Sequence, residues 1–368
     1  MKRIQLAQKL LLQPQKAIKT LIGFDGFTDE IVRAVDKRSD IYNSTPIATI
    51  QDFAARIQAA SGKSCNIELE LIEKKIGGNG PILASALSAL IKTAPTLIGA
   101  LGFPEIEPLF QPLEKKCKKV ISIAPSGHTD AIEFTDGKIL FGKQQGIFDV
   151  TVSRLLACVT AEELIALFDE ADCIVFANWT MLYSMTEIWK FVAQNILPKL
   201  PSKTTYRRCF IDLADPAKRS DEDLKDALDT MKSMKEGLHI TLGLNEAEAL
   251  RLLSLYNITF SLEKKEAIEQ AAIILLEKTD LNQVVIHTRK YAAAASYEDT
   301  ASVEGPFIEH PKITTGGGDH FNAGFLAGSA YDCPLKESLL LAVATSGFFV
   351  RHGSSPTIED LIHFLRQG

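Results

Sequence analysis

The chain has 368 residues, is 46% hydrophobic and 23% charged, and carries a formal net charge of −6. Such a length and apolar content can bury a large core in one large α/β domain or two smaller ones, and the acidic balance lacks the basic surplus that nucleic acid or an anionic membrane surface calls for. The six cysteines, Cys65, Cys117, Cys158, Cys173, Cys209 and Cys333, are scattered with no pair at metal-ligand spacing, which reads as reduced, mostly buried thiols of a cytoplasmic protein.

The chain begins MKRIQLAQKLLLQPQK, where the apolar run Leu10–Leu12 stops at Gln13 and Pro14. That run is too short for the core of a secretory leader and predicts a short surface helix. Downstream, short β-branched runs recur at 21–24, 96–101, 173–177, 209–214, 239–244 and 284–288, separated by amphipathic segments such as 160–170 and 261–277. Runs that do not alternate are strands buried on both faces, so the fold class expected is α/β, a doubly wound, mostly parallel sheet flanked by helices. Two segments break the rhythm. Residues 66–75 set Ile67, Leu69 and Leu71 against Glu68, Glu70 and Ile72, and residues 131–142 carry Ile132 and Phe134 before the turn Thr135-Asp136-Gly137-Lys138. Alternation with an Asp-Gly turn predicts strands of a half-exposed antiparallel sheet. The longest apolar stretch, Leu339–Val350, is broken by Thr345, Ser346 and Gly347 and falls short of the ~20 residues of a membrane span. No internal repeat or linker divides the chain.

Five motifs carry chemistry. Asp25 and Asp29 flank Gly26-Phe27-Thr28 just after the first strand, the edge at which open α/β sheets bind ligands; a carboxylate there accepts from two vicinal hydroxyls, or serves only as a turn residue, and Asp25 is the favoured of the two. Gly77-Gly78-Asn79-Gly80-Pro81 precedes a helical pattern; the glycines permit close approach to a ligand and the Asn79 amide both donates and accepts, while Asn79 or Gly80 as a simple cap is equally consistent. Asp212 and Asp215-Pro216 close another strand with Lys218 and Arg219 after them; Lys218 or Arg219 could reach a phosphate, but the group reads best as solvated loop charges. Asn245 and Glu248 stand three apart after a strand, and on spacing alone they form a capping box. Gly316-Gly317-Gly318-Asp319 opens a helix through which Ala323, Gly324, Ala327, Gly328 and Ala330 recur. Successive glycine amides and a helix N-terminus make an anion hole suited to a γ-phosphate, with Asp319 where a general base belongs; the plainer alternative is a flexible turn with Asp319 as a cap. The two helical glycines argue for very close packing beneath the loop.

The stretch TTGGGDHFNAGF resembles the signature of the ribokinase-like, or phosphofructokinase-B type, carbohydrate kinases. Three more segments follow that family's order: GFDGFTDE, KIGGNGPILASALSAL with IGALG, and GLNEAEAL, so the likeness spans roughly residues 20 to 365. It implies a single kinase domain over residues 1–368, with a small β-sheet lid formed by insertions near 27–75 and 128–145 that closes over a sugar and excludes water. It implies ATP as donor and Mg²⁺ as metal. Asp319 becomes the base and Gly316, Gly317 and Gly318 the anion hole. Gly77, Gly78 and Asn79, with Asp25 or Asp29, become sugar contacts. Asn245, Thr315, Gly318, Thr288 and Gly353 fall on the nucleotide side, and Glu248 orders Mg²⁺ through water. The base-binding region falls around Ala344, Thr345, Gly347, His352, Gly353 and Ser354.

Two departures accompany the likeness. Ile313 replaces the aspartate that usually opens the signature, which argues against potassium activation, and Thr288-Arg289-Lys290 lacks the glycine usual after its strand. Other chemistries lack their motifs: Gly62-Lys63-Ser64 has Ile57 where a Walker loop needs glycine, there is no Gly-x-Ser-x-Gly elbow, and the seven histidines form no His-x-x-x-His pair. The expectation is an ATP-dependent kinase of a small sugar; a nucleoside kinase, an ADP-dependent sugar kinase and a non-catalytic sugar-binding relative are the alternatives. Arg33, Lys37, Arg38 and Lys63 read as solvated charges rather than a sign of an anionic substrate. The partners expected are sugar and ATP, no nucleic acid, no membrane, and a second copy of the chain through the lid sheets, whose exposed edges call for one.

Overall fold

The β-branched runs form the centre of a nine-stranded sheet in the computed structural model, which describes residues 2–13, 15–203 and 206–367. Among the described residues the strands are β1 (Thr20–Gly23), β2 (Phe27–Arg38), β3 (Ser44–Pro46), β4 (Leu69–Gly77), β5 (Thr96–Gly99), β6 (Lys119–Ser122), β7 (Gly127–Phe134), β8 (Gly137–Lys143), β9 (Cys173–Phe176), β10 (Arg208–Asp212), β11 (His239–Asn245), β12 (Gln283–His287), β13 (Tyr291–Ser296) and β14 (Thr300–Glu304). The large sheet runs β14-β13-β12-β11-β10-β9-β1-β5-β6. It is parallel from β6 to β12, and β13 and β14 continue it antiparallel. Neighbouring residues of one strand feed opposite cores: Leu21, Ile98, Ile174 and Cys209 pack on one side, and Ile22, Leu97, Val175 and Phe210 on the other. This two-sided burial is why the strands read as unalternated runs.

All six expected core strands are present. β6, β13 and β14 are additional: β13 carries the run Ala292–Ala295, which has no β-branched signal, and its strand form is imposed by pairing and by burial. The expected helix 160–170 is Ala161–Glu170, held by a Thr160–Glu163 capping box, whereas the expected 261–277 begins only at Lys265. The N-terminal helix is Lys2–Leu12, with Leu6, Ala7 and Leu10 buried; Pro14, expected to end it, lies outside the described residues. No helix among the described residues is long and apolar enough to cross a membrane.

The second sheet holds β3, β2, β7 and β8, with β4 on the other flank of β2. The hairpin β7–β8 turns on Thr135 and Asp136, and β2–β4 is antiparallel as expected, but β2 and β7 pair in parallel. A register shift between Ile31 and Val32 leaves Ile72 of β4 without a partner on β2, and Leu69, Leu71 and Ile72 are all exposed rather than forming a buried face. The helix Ile50–Ala59 covers the sheet's other end, with Phe53 packed on Val32, Ala34 and Ile132.

β1 continues one way to β5 and β6, and the chain then crosses to β9 on its other side, which makes the β1–β9 border the switch point of the sheet. A crevice opens outside the strand ends there. The helix Gly317–Ala327 approaches this border, backed by Leu335–His352. A Cβ on Gly324 would lie 2.6 Å from Thr345 Oγ1 and 2.8 Å from Ala342 Cα, so the expected close packing is backbone against backbone. Gly324→Val should push these helices apart and cost roughly 2–4 kcal/mol, at or above the usual range for overpacking because backbone cannot repack; urea unfolding measures it, and a loss below about 1 kcal/mol contradicts the packing account.

Candidate active site

Asp25 follows β1 into the switch-point crevice and is fully buried. Its carboxylate accepts from Asn79 N at 2.8 Å, Gly80 N at 2.7 Å and Asn178 Nδ2 at 2.9 Å, so it caps the helix Asn79–Leu90 across the sheet. Only glycine fits around it: Gly78 has φ +90°, and a Cβ on Gly80 would come within 2.9 Å of Asp25 Oδ1. Asn178, itself at φ 62° directly after β9, is the partner that spacing in the sequence does not reveal.

Asp29 has a different setting. It lies on β2, accepts from the Thr129 hydroxyl, and lines a cavity of about 350 Å³ between the two sheets, together with Phe27, Gly78, Asn79, Asn178 and Lys218. Gly77 lacks a side chain because a Cβ there would meet the Asp29 carboxylate at 2.5 Å. Of the two aspartates, Asp25 has its oxygens taken by the protein's own donors, and Asp29 faces open space.

Gly316, at φ +88°, caps the helix that starts at Gly317. First-turn amides of a helix have no intrahelical carbonyl; Gly317 N nevertheless donates to Thr314 O at 3.2 Å, so the glycine loop does not present three equivalent free amides. Its carbonyls are held from behind. Ser346 Oγ donates to Gly317 O at 2.8 Å. His320 Nδ1 lies 2.7 Å from Gly316 O and Nε2 lies 2.9 Å from Ser355 Oγ, with the ring stacked 3.6 Å from Phe349. A carbonyl only accepts, so Nδ1 carries the proton and Nε2 accepts from Ser355. Burial lowers the His320 pKa to about 4, and the ring is neutral at physiological pH. Asp319, almost fully buried, receives Asn79 Nδ2 on Oδ1 at 2.9 Å. Asn79 thus joins Asp25, through its backbone, to Asp319, through its side chain.

Beyond this loop lies a second cavity of about 620 Å³, lined among others by Asn245, His287, Thr288, Phe321, Val343 and Gly347. Thr288 Oγ1 accepts from Tyr291 N at 3.1 Å, a hydroxyl-closed turn that takes the place of the missing glycine. Thr315 is exposed on the loop, and Thr314 is the one that lines the cavity. Gly353, at φ +77°, ends the helix Leu335–His352 beside Lys312 and is not among the cavity's lining residues. Asn245 and Glu248 form the capping box that their spacing favoured: Asn245 Oδ1 accepts from Glu248 N at 3.0 Å, and Glu248 Oε2 accepts from Asn245 N at 2.7 Å. Glu248 Oε1 also accepts from Asn245 Nδ2 and Asp215 N, which leaves its buried carboxylate little room for direct metal coordination.

Asp212 proves to be more than a solvated loop charge. Its carboxylate accepts from Asn322 Nδ2 at 2.7 Å and Ala214 N at 3.0 Å, and burial raises its pKa to about 6. Burial and the charge of Asp212 raise Glu248 to about 8. Burial, Asp212 and Asp25 hold Asp319 well above the ordinary carboxylate range. None of these four acids makes an ion pair with Lys, Arg or His among the described residues, and Asn322 Oδ1 is buried without a partner. A concentration of buried acids with no cation of the protein's own is an environment that fits a divalent metal. His287 is a further residue that spacing does not reveal: its imidazole packs against Phe321 in a tilted arrangement with ring centroids 4.5 Å apart, lies beside Gly318, and burial lowers its pKa to about 4.

A family model described as prokaryotic ketohexokinase matches residues 2–368. The chain belongs to that family. It is a carbohydrate kinase, a phosphotransferase with a sugar hydroxyl as acceptor. A ketohexokinase of Haloferax volcanii is 26% identical over 360 residues, which is 94% of this chain and 90% of that protein. Among solved structures, a ribokinase of Arabidopsis thaliana complexed with ribose and ATP superposes with a TM-score of 0.66 at 16% identity, over 96% of this chain and 99% of that one. The phosphofructokinase-2 of Escherichia coli, in complex with substrates and products, gives 0.61 at 15% identity, over 96% and 99%. These two share the ribokinase fold with this prokaryotic ketohexokinase-family chain.

Asp25→Ala would strand three donors of this kinase, two of them buried and the third, Asn79 N, partly so. Each unsatisfied donor costs about 1–3 kcal/mol, so denaturant unfolding should show a loss of at least about 3 kcal/mol, with the variant more sensitive to proteolysis near Gly77–Gly80. A loss under about 1 kcal/mol would remove Asp25 from its place as the prop of that loop.

Proposed function

We propose that the chain transfers the γ-phosphoryl group of ATP to a hydroxyl of a ketohexose. The observation that carries this reading is the seam at Asp319: Asn79, which donates to it, lines the smaller cavity, while Thr314 and Phe321, on either side of it in the chain, line the larger one. Sugar in the first cavity and nucleotide in the second would meet at that carboxylate. The family and the Haloferax volcanii relative support a ketohexose as acceptor, and the Arabidopsis ribokinase, solved with ribose and ATP, supports ATP as donor.

In this reading the Asn79 amide fixes Asp319 Oδ1 and leaves Oδ2 to the sugar hydroxyl. As the hydroxyl oxygen bonds to the γ-phosphorus, the bond to the β,γ-bridging oxygen breaks, and the hydroxyl proton passes to Asp319. The raised proton affinity of Asp319 brings a carboxylate closer to the operating pH, where a general base works best. Amides of the Gly316–Gly318 turn and the helix N-terminus stabilise the charge on the transferring oxygens. Asp29 grips sugar hydroxyls. Mg²⁺, held through water by Glu248 with Asp212 beside it, would supply neutralisation of the phosphate oxygens. The second sheet acts as the lid of a single kinase domain and excludes water from the reacting group. The exposed Leu69, Leu71, Ile72, Leu140 and Phe141 on its edge strands support a homodimer through the lid.

The test is phosphorylation of a panel of ketoses, aldoses and nucleosides with MgATP by the parent, Asp319→Asn and Asp29→Asn. A ketohexose should be the best acceptor. Asp319→Asn should keep the fold and lower kcat by about 10²–10⁴ with KM little changed, the range for loss of a general base. Asp29→Asn should act mainly on KM for the sugar. A folded Asp319→Asn enzyme with most of its activity refutes the mechanism, and a nucleoside preferred over every sugar refutes the substrate class.

A further inference from the structure

Away from the glycine loop, the first turns of the helices Lys2–Leu12, Lys265–Thr279 and Leu335–His352 meet the end of Ile358–Gln367 beside β14. Lys2, Arg3, Lys265, Lys336 and Arg366 line a cleft of about 490 Å³ there. A neighbouring cavity of about 530 Å³ shares Arg3, Glu304, Leu340 and Leu365 with it and adds Arg351. Although the chain is acidic overall, none of Lys2, Lys265, Lys336, Arg351 and Arg366 makes an ion pair with a carboxylate among the described residues.

The arrangement opposes elementary electrostatics. Lys2 and Lys265 crowd the Lys336 ammonium and push its pKa down, which outweighs the opposing pull of the Glu269 carboxylate. Three helix N-termini add their positive ends, where cations are disfavoured. Like charges at this spacing repel, and a bound anion would turn each repulsion into an attraction. The same cleft has an apolar wall in Leu340 and Leu365, with the Glu304 carboxylate as an acceptor for hydroxyls.

We propose that this cleft is a binding site for a small phosphate monoester, separate from the active site, with its phosphate held by Lys2, Lys265, Lys336 and Arg366 and its carbon skeleton lying toward Arg351. A phosphate dianion suits a set of donors that has several positive charges, and the two joined cavities give room for a body of sugar size. The site stands one residue layer behind the nucleotide cavity, with which its inner part shares Gly305, Pro306 and Val343. Arg351, which lines the inner part, donates to Gly347 O at 2.8 Å and Phe307 O at 3.0 Å, both residues of the larger cavity's own lining.

The experiment is calorimetric titration of the full chain with inorganic phosphate and, separately, with a hexose monophosphate. Both are run at fixed ionic strength with saturating sugar and a non-hydrolysable ATP analogue, so that the active site is filled. The parent and Asp319→Asn should bind both probes equally well, and the double variant Lys265→Glu with Lys336→Glu should bind them at least tenfold more weakly. That double variant should also melt no lower than the parent in phosphate-free buffer, because the reversal removes repulsion. Lys265→Gln with Lys336→Gln gives the same loss of binding should the reversal disturb folding. Equal binding in parent and double variants, or no binding of either probe to the parent, overturns the proposal. Binding of inorganic phosphate with rejection of the hexose monophosphate overturns the ester assignment. None of these outcomes bears on the kinase reading.

Discussion

Four acids, Asp25, Asp212, Glu248 and Asp319, sit at one edge of the large sheet with no ion-pair partner among the described residues, and much of the molecule serves to hold them there. Water is largely excluded, so each carboxylate is satisfied by amides instead: Asn79, Gly80 and Asn178 on Asp25, Asn322 and Ala214 on Asp212, Asn245 and Asp215 on Glu248, Asn79 on Asp319. Amide donors fix geometry and leave net negative charge in place. Burial first, and that charge after it, raise the proton affinity of Asp212, Glu248 and Asp319, and the charge is the feature that a metal–nucleotide complex would relieve.

The backbone bears the cost of bringing these groups together. Gly78 and Gly316 adopt conformations closed to most side chains, and Gly80 and Gly324 stand where any Cβ would collide. Asn178 occupies a left-handed conformation to which asparagine is one of the few tolerant residues. The asymmetry of the two helices that start at the crevice follows from their caps. Asn79–Leu90 begins on a buried carboxylate, so its N-terminus is already neutralised. Gly317–Ala327 begins on a glycine with no side-chain cap, so its positive end is left for an incoming anion.

What could be read from the residues alone follows from how local each signal is. The core strands were legible because burial on both faces leaves unalternated runs, and the glycine loop was legible because its conformation needs its glycines. Asn245 and Glu248 declared their capping box by spacing. β13 was hidden because alanines carry no strand signal, and the exposure of Leu69 and Leu71 was hidden because alternation within one strand does not say whether another element covers its apolar face. The distinction between Asp25 and Asp29 depends on which of them meets the helix Asn79–Leu90, a contact some fifty residues away in the chain. Asp212, Asn178 and His287 join the site only through the order of strands, which no local spacing encodes.

The uncompensated acids can be measured directly as a dependence of stability on pH. Carboxyls whose folded pKa is raised bind more protons folded than unfolded, so they favour the fold at low pH and lose that contribution as pH rises through their folded pKa values. With Asp212 near 6 and Glu248 near 8, the unfolding free energy of the metal- and nucleotide-free chain should fall from about pH 4, where unfolded carboxyls titrate, to about pH 8.5, and Asp212→Asn should make the whole decline shallower, because it removes one titrating group and part of what raises Glu248. A stability that stays level or rises across this range, or a decline untouched by Asp212→Asn, would contradict the account of the site as buried charge awaiting a cation.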